Sequence, residues 1–146
     1  MGPVGNFRNE GDMKDTLKVG VSNTMRIDVD ADRTIGFFGD DLRVYSTPSL
    51  LYDIEVACRN LLLEHSDEGE DSVGTTVNIA HMGATLIGNW VEITVTVTEV
   101  KGPAVTFEVN AKDALEQVCS GTHGRFAVPV AKLEGKLKAK AEKLAG

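Results

Sequence analysis

Apolar and polar residues alternate strictly along several segments in the second half of the chain. In "WVEITVTVTEV", Val91, Ile93, Val95 and Val97 face one way while threonine and glutamate face the other. "AVTFEVNA" and "EQVCSGTHGRFAVPV" continue this alternation, and the turn signals "IGN" and "KGP" separate the segments. Strict alternation is typical of strands with one covered face. Together with "SVGTTVNIAHMGAT", the pattern predicts four antiparallel strands.

The preceding stretch has a helical period instead. Thr47 suits an N-cap and Pro48 suits a first helical turn, so we expect a helix from about Pro48 to Glu64. Its apolar positions recur at helical spacing: Leu50, Leu51, Ile54, Ala57, Cys58 and Leu61. Further upstream, residues 16–29 have a mostly extended pattern.

This order of elements predicts an α+β hotdog fold, because a single helix this apolar must be wrapped by a curved antiparallel sheet of about five strands. We expect a flexible N-terminal lead over 1–15, one hotdog domain over 16–130 and a lysine-rich C-terminal helix over 131–146, held by leucines 133, 137 and 144. An exposed sheet edge favours pairing into a homodimer, with a larger oligomer left open.

Composition narrows the class of protein. The net charge of −7 argues against a nucleic-acid partner, and no apolar run is long enough for a membrane helix. Without a secretory signal, and with Cys58 and Cys119 read as buried thiols, we expect a cytoplasmic protein. The three histidines lack zinc spacing, and "DVDADRTIGFFG" lacks the glycine and glutamate of a calcium loop, so neither a metal nor a cofactor is expected.

Glu55 stands between Ile54 and Val56 in the most apolar part of the predicted helix. An unpaired carboxylate costs several kcal/mol to bury, so Glu55 should have a partner. Taken alone, it could be either a paired interface residue or a functional carboxylate.

His81 shares strand parity with Val73, Val77 and Ile79, so its side chain should point where theirs point. Alone, His81 is more simply a hydrogen-bonded core histidine, and Thr47 alone a helix cap. With Glu55 they form a hydroxyl, carboxylate and imidazole set suited to acyl transfer.

Distance limits how this set can assemble. On one straight helix, Thr47 and Glu55 would lie roughly 12 Å apart along the axis. They could meet at one substrate only if Thr47 precedes the helix and turns inward, or if the site straddles two subunits. The expected dimer makes the second option reasonable.

Three motifs resemble those of the fluoroacetyl-CoA thioesterase family of single-hotdog proteins: "YSTPSLLYDIEVAC", "EGEDSVGTTVNIAHMGATLIG" and "SGTHGRF", within residues 45–130. The resemblance implies catalytic roles for Thr47, Glu55 and His81. It also implies that Gly74 lies beside the thioester and that Arg125 lies in or near the site.

The chain departs from the family at the lid. Asp41 stands where the fluoroacetyl-specific member has a phenylalanine, so fluoroacetyl selectivity is not implied. Phe37 and Phe38 lie nearby and could form another lid.

Arg125 and some C-terminal lysines could meet the CoA phosphates, although a solvated face is the simpler reading of the lysines. His123, on the strand face of Arg125, is interpreted as structural.

The sequence therefore predicts hydrolysis of a short-chain acyl-CoA to the free acid and CoA at a site shared between subunits. The alternative is a non-catalytic hotdog module that binds acyl-CoA or another small ligand. A hotdog hydratase is disfavoured, because the Asp/His pair at the spacing of such enzymes is missing.

Overall fold

The computed structural model describes residues 13–146. In chain order its main elements are β1 (Ser22–Asp28), β2 (Thr34–Ile35), β3 (Val44–Tyr45), α1 (Thr47–Glu64), β4 (Glu70–His81), β5 (Trp90–Lys101), β6 (Ala104–Lys112), β7 (Gln117–Pro129) and α2 (Val130–Ala145). Single 3-10 turns occupy Ala31–Arg33 and Asp40–Leu42. Helix α1 and the four strands after it agree with the expectation from periodicity.

The main sheet wraps around α1, which confirms the predicted hotdog fold. Its strand order is β1-β5-β6-β7-β4, and every neighbouring pair is antiparallel. The buried stripe of α1 meets the inward residues of the sheet in one core. This core includes Leu50, Ile54, Ala57, Cys58 and Leu61 from the helix and Val91, Ile93, Val95, Phe107 and Val109 from the sheet. Cys58 and Cys119 are buried free thiols.

Helix α1 is capped by Ser46, so the prediction that Thr47 is the N-cap was wrong. The Ser46 side chain accepts a hydrogen bond of 3.2 Å from the backbone N–H of Ser49. Ser46 has the extended backbone of a capping residue, and Thr47 is the first residue of the helix. Its hydroxyl is therefore not needed to satisfy the helix end.

A β-bulge changes the parity of β4. The register against β7 shifts between Gly74 and Thr76, and an inserted residue turns all earlier side chains to the other face. Val73 pairs with the outward Phe126, whereas Gly74 pairs with the buried Arg125. The expectation that Val73 shares the face of His81 was wrong, and Gly74 takes that place.

Strand β4 lies at the edge of the sheet and is incompletely covered. Val77 pairs with the buried His123, so it lies on the covered face, yet it is 46% exposed. An apolar residue exposed on a long edge strand marks a surface suited to pairing with another strand.

Helix α2 projects from the end of β7 and has no buried residue. Leu137 and Leu144 are exposed, the latter at 82%, so the prediction that they hold the helix was wrong. Of the three leucines, Leu133 lines a small pocket at the base of the helix together with Pro103 and Phe126. Over residues 13–146, no helix is both long and apolar enough to cross a bilayer.

Of the flexible lead predicted over 1–15, residues 1–12 lie outside the described part of the chain. Met13 is buried against the core, and the backbone N–H of Lys14 donates a 3.2 Å hydrogen bond to the His65 carbonyl. The chain is therefore anchored at the end of α1 before β1 begins.

Candidate active site

Thr47 and His81 are joined by a hydrogen bond of 2.7 Å between Oγ1 and the ring Nδ1. Thr47 opens α1 and His81 ends β4, so the fold brings two element ends together. The ring of Tyr45 packs edge-on against His81, with ring centroids 6.3 Å apart. His81 Nε2 is buried and has no hydrogen-bond partner within residues 13–146. An unsatisfied buried ring nitrogen is unusual in a folded protein and is a candidate group for binding a ligand.

The pair lies in the wall of a cavity of about 580 Å³. The part of the chain that the structure describes contributes no Asp, Glu, Lys or Arg to its lining, which is Ile35, Phe37, Val44, Tyr45, Ser46, Thr47, Pro48, His81, Met82, Gly83 and Ala84. Both predicted lid residues are exposed, Phe37 at 80% and Phe38 at 71%. Phe37 is among the residues that line the cavity, and Phe38 is not. Asp41 is also exposed.

Burial lowers the pKa of His81 below its ordinary value, and the backbone of Gly83 acts in the opposite direction. The imidazole is therefore neutral at neutral pH, and one nitrogen carries a lone pair. A neutral imidazole on the Thr47 hydroxyl can accept a proton from it or from a water molecule beside it.

Glu55 belongs to a second cluster, with Gly74 and Arg125. Its Oε1 lies 3.4 Å from Nη1 of Arg125, and its side chain is 40% exposed. The expectation that Glu55 has a partner was correct, and its carboxylate is only half-buried. A Cβ on Gly74 would overlap Oε1 of Glu55, so glycine at 74 is what lets the carboxylate lie against β4.

Arg125 is buried, with only 5% of its side chain exposed. Its Nε donates to Ser72 Oγ and its Nη2 donates to the Ser72 carbonyl, each at 2.8 Å. A guanidinium enclosed in this way is poorly placed to reach CoA phosphates, so its burial disfavours that part of the prediction. Its remaining nitrogen faces Glu55.

The single chain thus separates the predicted site residues into two groups. Thr47 and His81 touch each other, and Glu55 touches Arg125 beside Gly74. Thr47 and Glu55 lie on the same helix, so they remain roughly 12 Å apart along its axis. Within one chain, Thr47 does not turn inward to meet Glu55.

Sequence reasoning missed Asp53, which is the buried carboxylate of α1. Arg33 donates to it from Nε at 2.9 Å, and the Tyr45 hydroxyl donates to it at 2.6 Å. Asp53 stands three residues after Leu50 and four before Ala57, so the helical stripe itself placed it inside. This network ties the cavity residue Tyr45 to α1.

Comparison with known proteins agrees with this architecture. The family model for fluoroacetyl-CoA-specific thioesterase, FlK, matches residues 29–131. A fluoroacetyl-CoA thioesterase of Streptantibioticus cattleyicolor is 28% identical over an alignment of 135 positions, which covers 88% of this chain and 97% of that protein.

Solved structures give the same result. A structure of the fluoroacetyl-CoA thioesterase FlK superposes with a TM-score of 0.80 at 27% identity, covering 86% of this chain and 98% of that one. A hot-dog-like protein from Thermanaerovibrio acidaminovorans superposes with a TM-score of 0.78 at 26% identity, covering 85% and 93%. The resemblance read from the motifs is confirmed, and the chain belongs to the fluoroacetyl-CoA-specific thioesterase family.

Proposed function

We propose that this protein, a thioesterase by family, hydrolyses a short-chain acyl-CoA to the free acid and CoA at a site shared between two copies of the chain. One observation carries the proposal: the Thr47 hydroxyl is hydrogen-bonded to His81 in the wall of an uncharged cavity, and the buried second nitrogen of His81 has no partner within residues 13–146. A hydroxyl activated by a neutral imidazole is one of the arrangements that carry out acyl transfer.

In the proposed reaction, Thr47 orients or attacks the thioester carbonyl, and Glu55 is the competing nucleophile or base. His81 accepts the proton of the attacking hydroxyl or water and returns it to the departing CoA sulfur when the C–S bond breaks. Water supplies the oxygen of the free acid. The backbone at Gly74, which has no side chain to obstruct the carbonyl, supplies the N–H that stabilises the oxyanion.

Pairing of β4 with its own copy would bring the two clusters together. In an antiparallel pair related by a two-fold axis, residues equidistant from the axis lie opposite each other. Because the bulge makes Gly74 the next ladder position after Thr76, an axis through Asn78 would set His81 opposite Gly74 of the partner subunit, each three ladder positions from the axis. Glu55 of the partner subunit lies against that glycine and would face His81. The exposed edge of β4 supports this homodimer.

Mixing two variants that each retain only a small residual activity tests the shared site. His81→Ala and Glu55→Gln each remove one group, and a mixed dimer keeps one intact site because each chain supplies what the other lacks. After unfolding and refolding together in equal amounts, the mixture should recover about a quarter of the parental rate of thiol release. Refolding each variant alone is the control.

No recovery would overturn the shared site. If the parent released no thiol from any acyl-CoA yet bound CoA esters saturably, hydrolysis itself would be wrong and the binding module would be supported.

A further inference from the structure

His123 is fully buried, and both of its ring nitrogens have partners. Nδ1 lies 2.8 Å from the Thr76 carbonyl of β4, and Nε2 lies 3.3 Å from Nη1 of Arg125. A carbonyl oxygen can only accept and a guanidinium can only donate, so Nδ1 carries the hydrogen and Nε2 carries the lone pair. The two contacts therefore define one neutral tautomer.

The lone pair on Nε2 accepts a hydrogen bond from Nη1, which is the nitrogen of Arg125 that reaches Glu55. Nε and Nη2 are both held by Ser72, whereas Nη1 lies between His123 Nε2 and Glu55 Oε1 at 3.3 and 3.4 Å. Within residues 13–146, Ser72 holds two nitrogens of the guanidinium and His123 contacts the third. His123 therefore helps to set the position from which Nη1 reaches the Glu55 carboxylate.

The surroundings keep the ring neutral. Burial is the largest cause that lowers the pKa of His123, and Arg125 on the same strand acts in the same direction. The Thr76 carbonyl from β4 and Glu55 from α1 oppose them. Phe107, which pairs with His123 from β6, has no titratable group. A protonated ring would place a second cation beside Arg125 and remove its acceptor.

We propose that His123 is a positioning residue: as the neutral Nδ1–H tautomer it holds Arg125 so that the guanidinium orients the Glu55 carboxylate for hydrolysis. This inference rests on the proposed function and extends it, because it assigns a role in the reaction to a buried histidine that touches no reacting atom. His123 acts through Arg125, and Arg125 acts through Glu55.

Two variants separate the two ring contacts. In His123→Gln, the amide oxygen can occupy the place of Nε2 and still accept from Arg125, while the bond to Thr76 is lost. In His123→Asn, the amide nitrogen can occupy the place of Nδ1 and still donate to Thr76, while the acceptor for Arg125 is lost.

We expect His123→Asn to lower kcat about tenfold to a hundredfold, because a small misplacement of a reacting group has an effect of that size. Its KM should stay within about twofold of the parental value, and His123→Gln should keep kcat within about threefold. If His123 served only to connect β7 to β4 through its hydrogen bond to Thr76, Asn would be the better replacement, because Asn keeps that hydrogen bond. A ranking with Asn at or above Gln would overturn the proposal.

A double-mutant cycle gives a second readout. In the Glu55→Gln background, His123→Asn should cause almost no further loss, because the carboxylate it orients is gone. An equal loss in both backgrounds would contradict the proposal. If the parent itself is inactive, the proposed function fails, and ¹⁵N NMR of the His123 ring still tests the geometry: a charged or Nε2–H ring would overturn the inference.

Discussion

The Thr47 hydroxyl and the His81 ring share a hydrogen bond of 2.7 Å although 34 positions separate them in the chain. Thr47 is free to make it because Ser46 supplies the side-chain cap of α1. A threonine used as a helix cap would have its oxygen turned toward the backbone of the first turn. Because Ser46 caps the helix, the hydroxyl of Thr47 remains available for the hydrogen bond with His81.

Replacing His81 with alanine should lower kcat for thiol release about 100-fold or more, because general acid–base catalysis contributes that much. A panel of short acyl-CoAs with a thiol reagent gives the measurement. His65→Ala is the matched control, since His65 bonds Thr16 at the opposite end of α1. A His81→Ala variant as fast as the parent would refute the role.

Gly74→Ala should reduce kcat about tenfold or more while the protein stays folded, because the new methyl group would displace the Glu55 carboxylate. Gly135→Ala, on exposed α2, makes the same change where a Cβ meets nothing within 4 Å. There the expected result is unchanged activity and a helix stabilised by up to about 1 kcal/mol. Equal activity of the two variants would show that Glu55 need not lie against β4.

Tyr45→Phe should lower the free energy of unfolding by about 1 to 2 kcal/mol, because buried Asp53 loses a hydrogen-bond donor. Urea denaturation gives the measurement. Tyr52→Phe removes an exposed hydroxyl from α1 and should change stability by less than about 0.5 kcal/mol. Similar values for both would mean that the Arg33 contact alone satisfies Asp53.

Stability should fall as the pH drops below about 6.5, the ordinary histidine value that applies in the unfolded chain. Burial lowers the pKa of both His81 and His123 in the folded protein. Between the lowered values and 6.5, the unfolded chain binds more protons, so acid favours unfolding. Urea unfolding at pH 7.5, 6.5 and 5.5 tests this, and His123→Gln should flatten the profile. A parental profile that is flat over this range would contradict the buried, neutral histidines.

The cavity should select uncharged acyl groups. Since its described lining carries no Asp, Glu, Lys or Arg, a carboxylate at the end of the acyl chain would be desolvated without a partner. We expect kcat/KM for butyryl-CoA to exceed that for succinyl-CoA by about tenfold or more, a difference of about 1.4 kcal/mol. Comparable values would place the acyl chain outside this cavity.

The bulge in β4 shows where prediction from periodicity ends. Alternation placed Val73 with His81, but the extra residue near Thr75 moves Gly74 onto that face instead. A bulge depends on how β4 and β7 pair across more than forty positions of sequence, and a local pattern contains no record of that pairing. Gly74 was identified by motif resemblance, and its place against Glu55 needed the fold.

Asp53 and Glu55, two of the three carboxylates of α1, make the same point from the helix. Helical spacing puts Asp53 on the buried stripe of α1, whereas Glu55 has apolar neighbours along the sequence and is nevertheless 40% exposed. Which carboxylate has Arg33 and which has Arg125 is decided by chain segments far from the helix.

By itself the sequence determined both helices, the strands of the main sheet, the hotdog class, the family and the candidate residues Thr47, Glu55 and His81. Local periodicity and motif spacing record which faces must be buried, although they did not predict the short strands β2 and β3. The tertiary structure alone decided the partners: Thr47 with His81, and Glu55 with Arg125 beside His123. Such pairings arise when distant strands adopt one register around the helix, and a hydrogen bond forms only where that register brings donor and acceptor within about 3 Å.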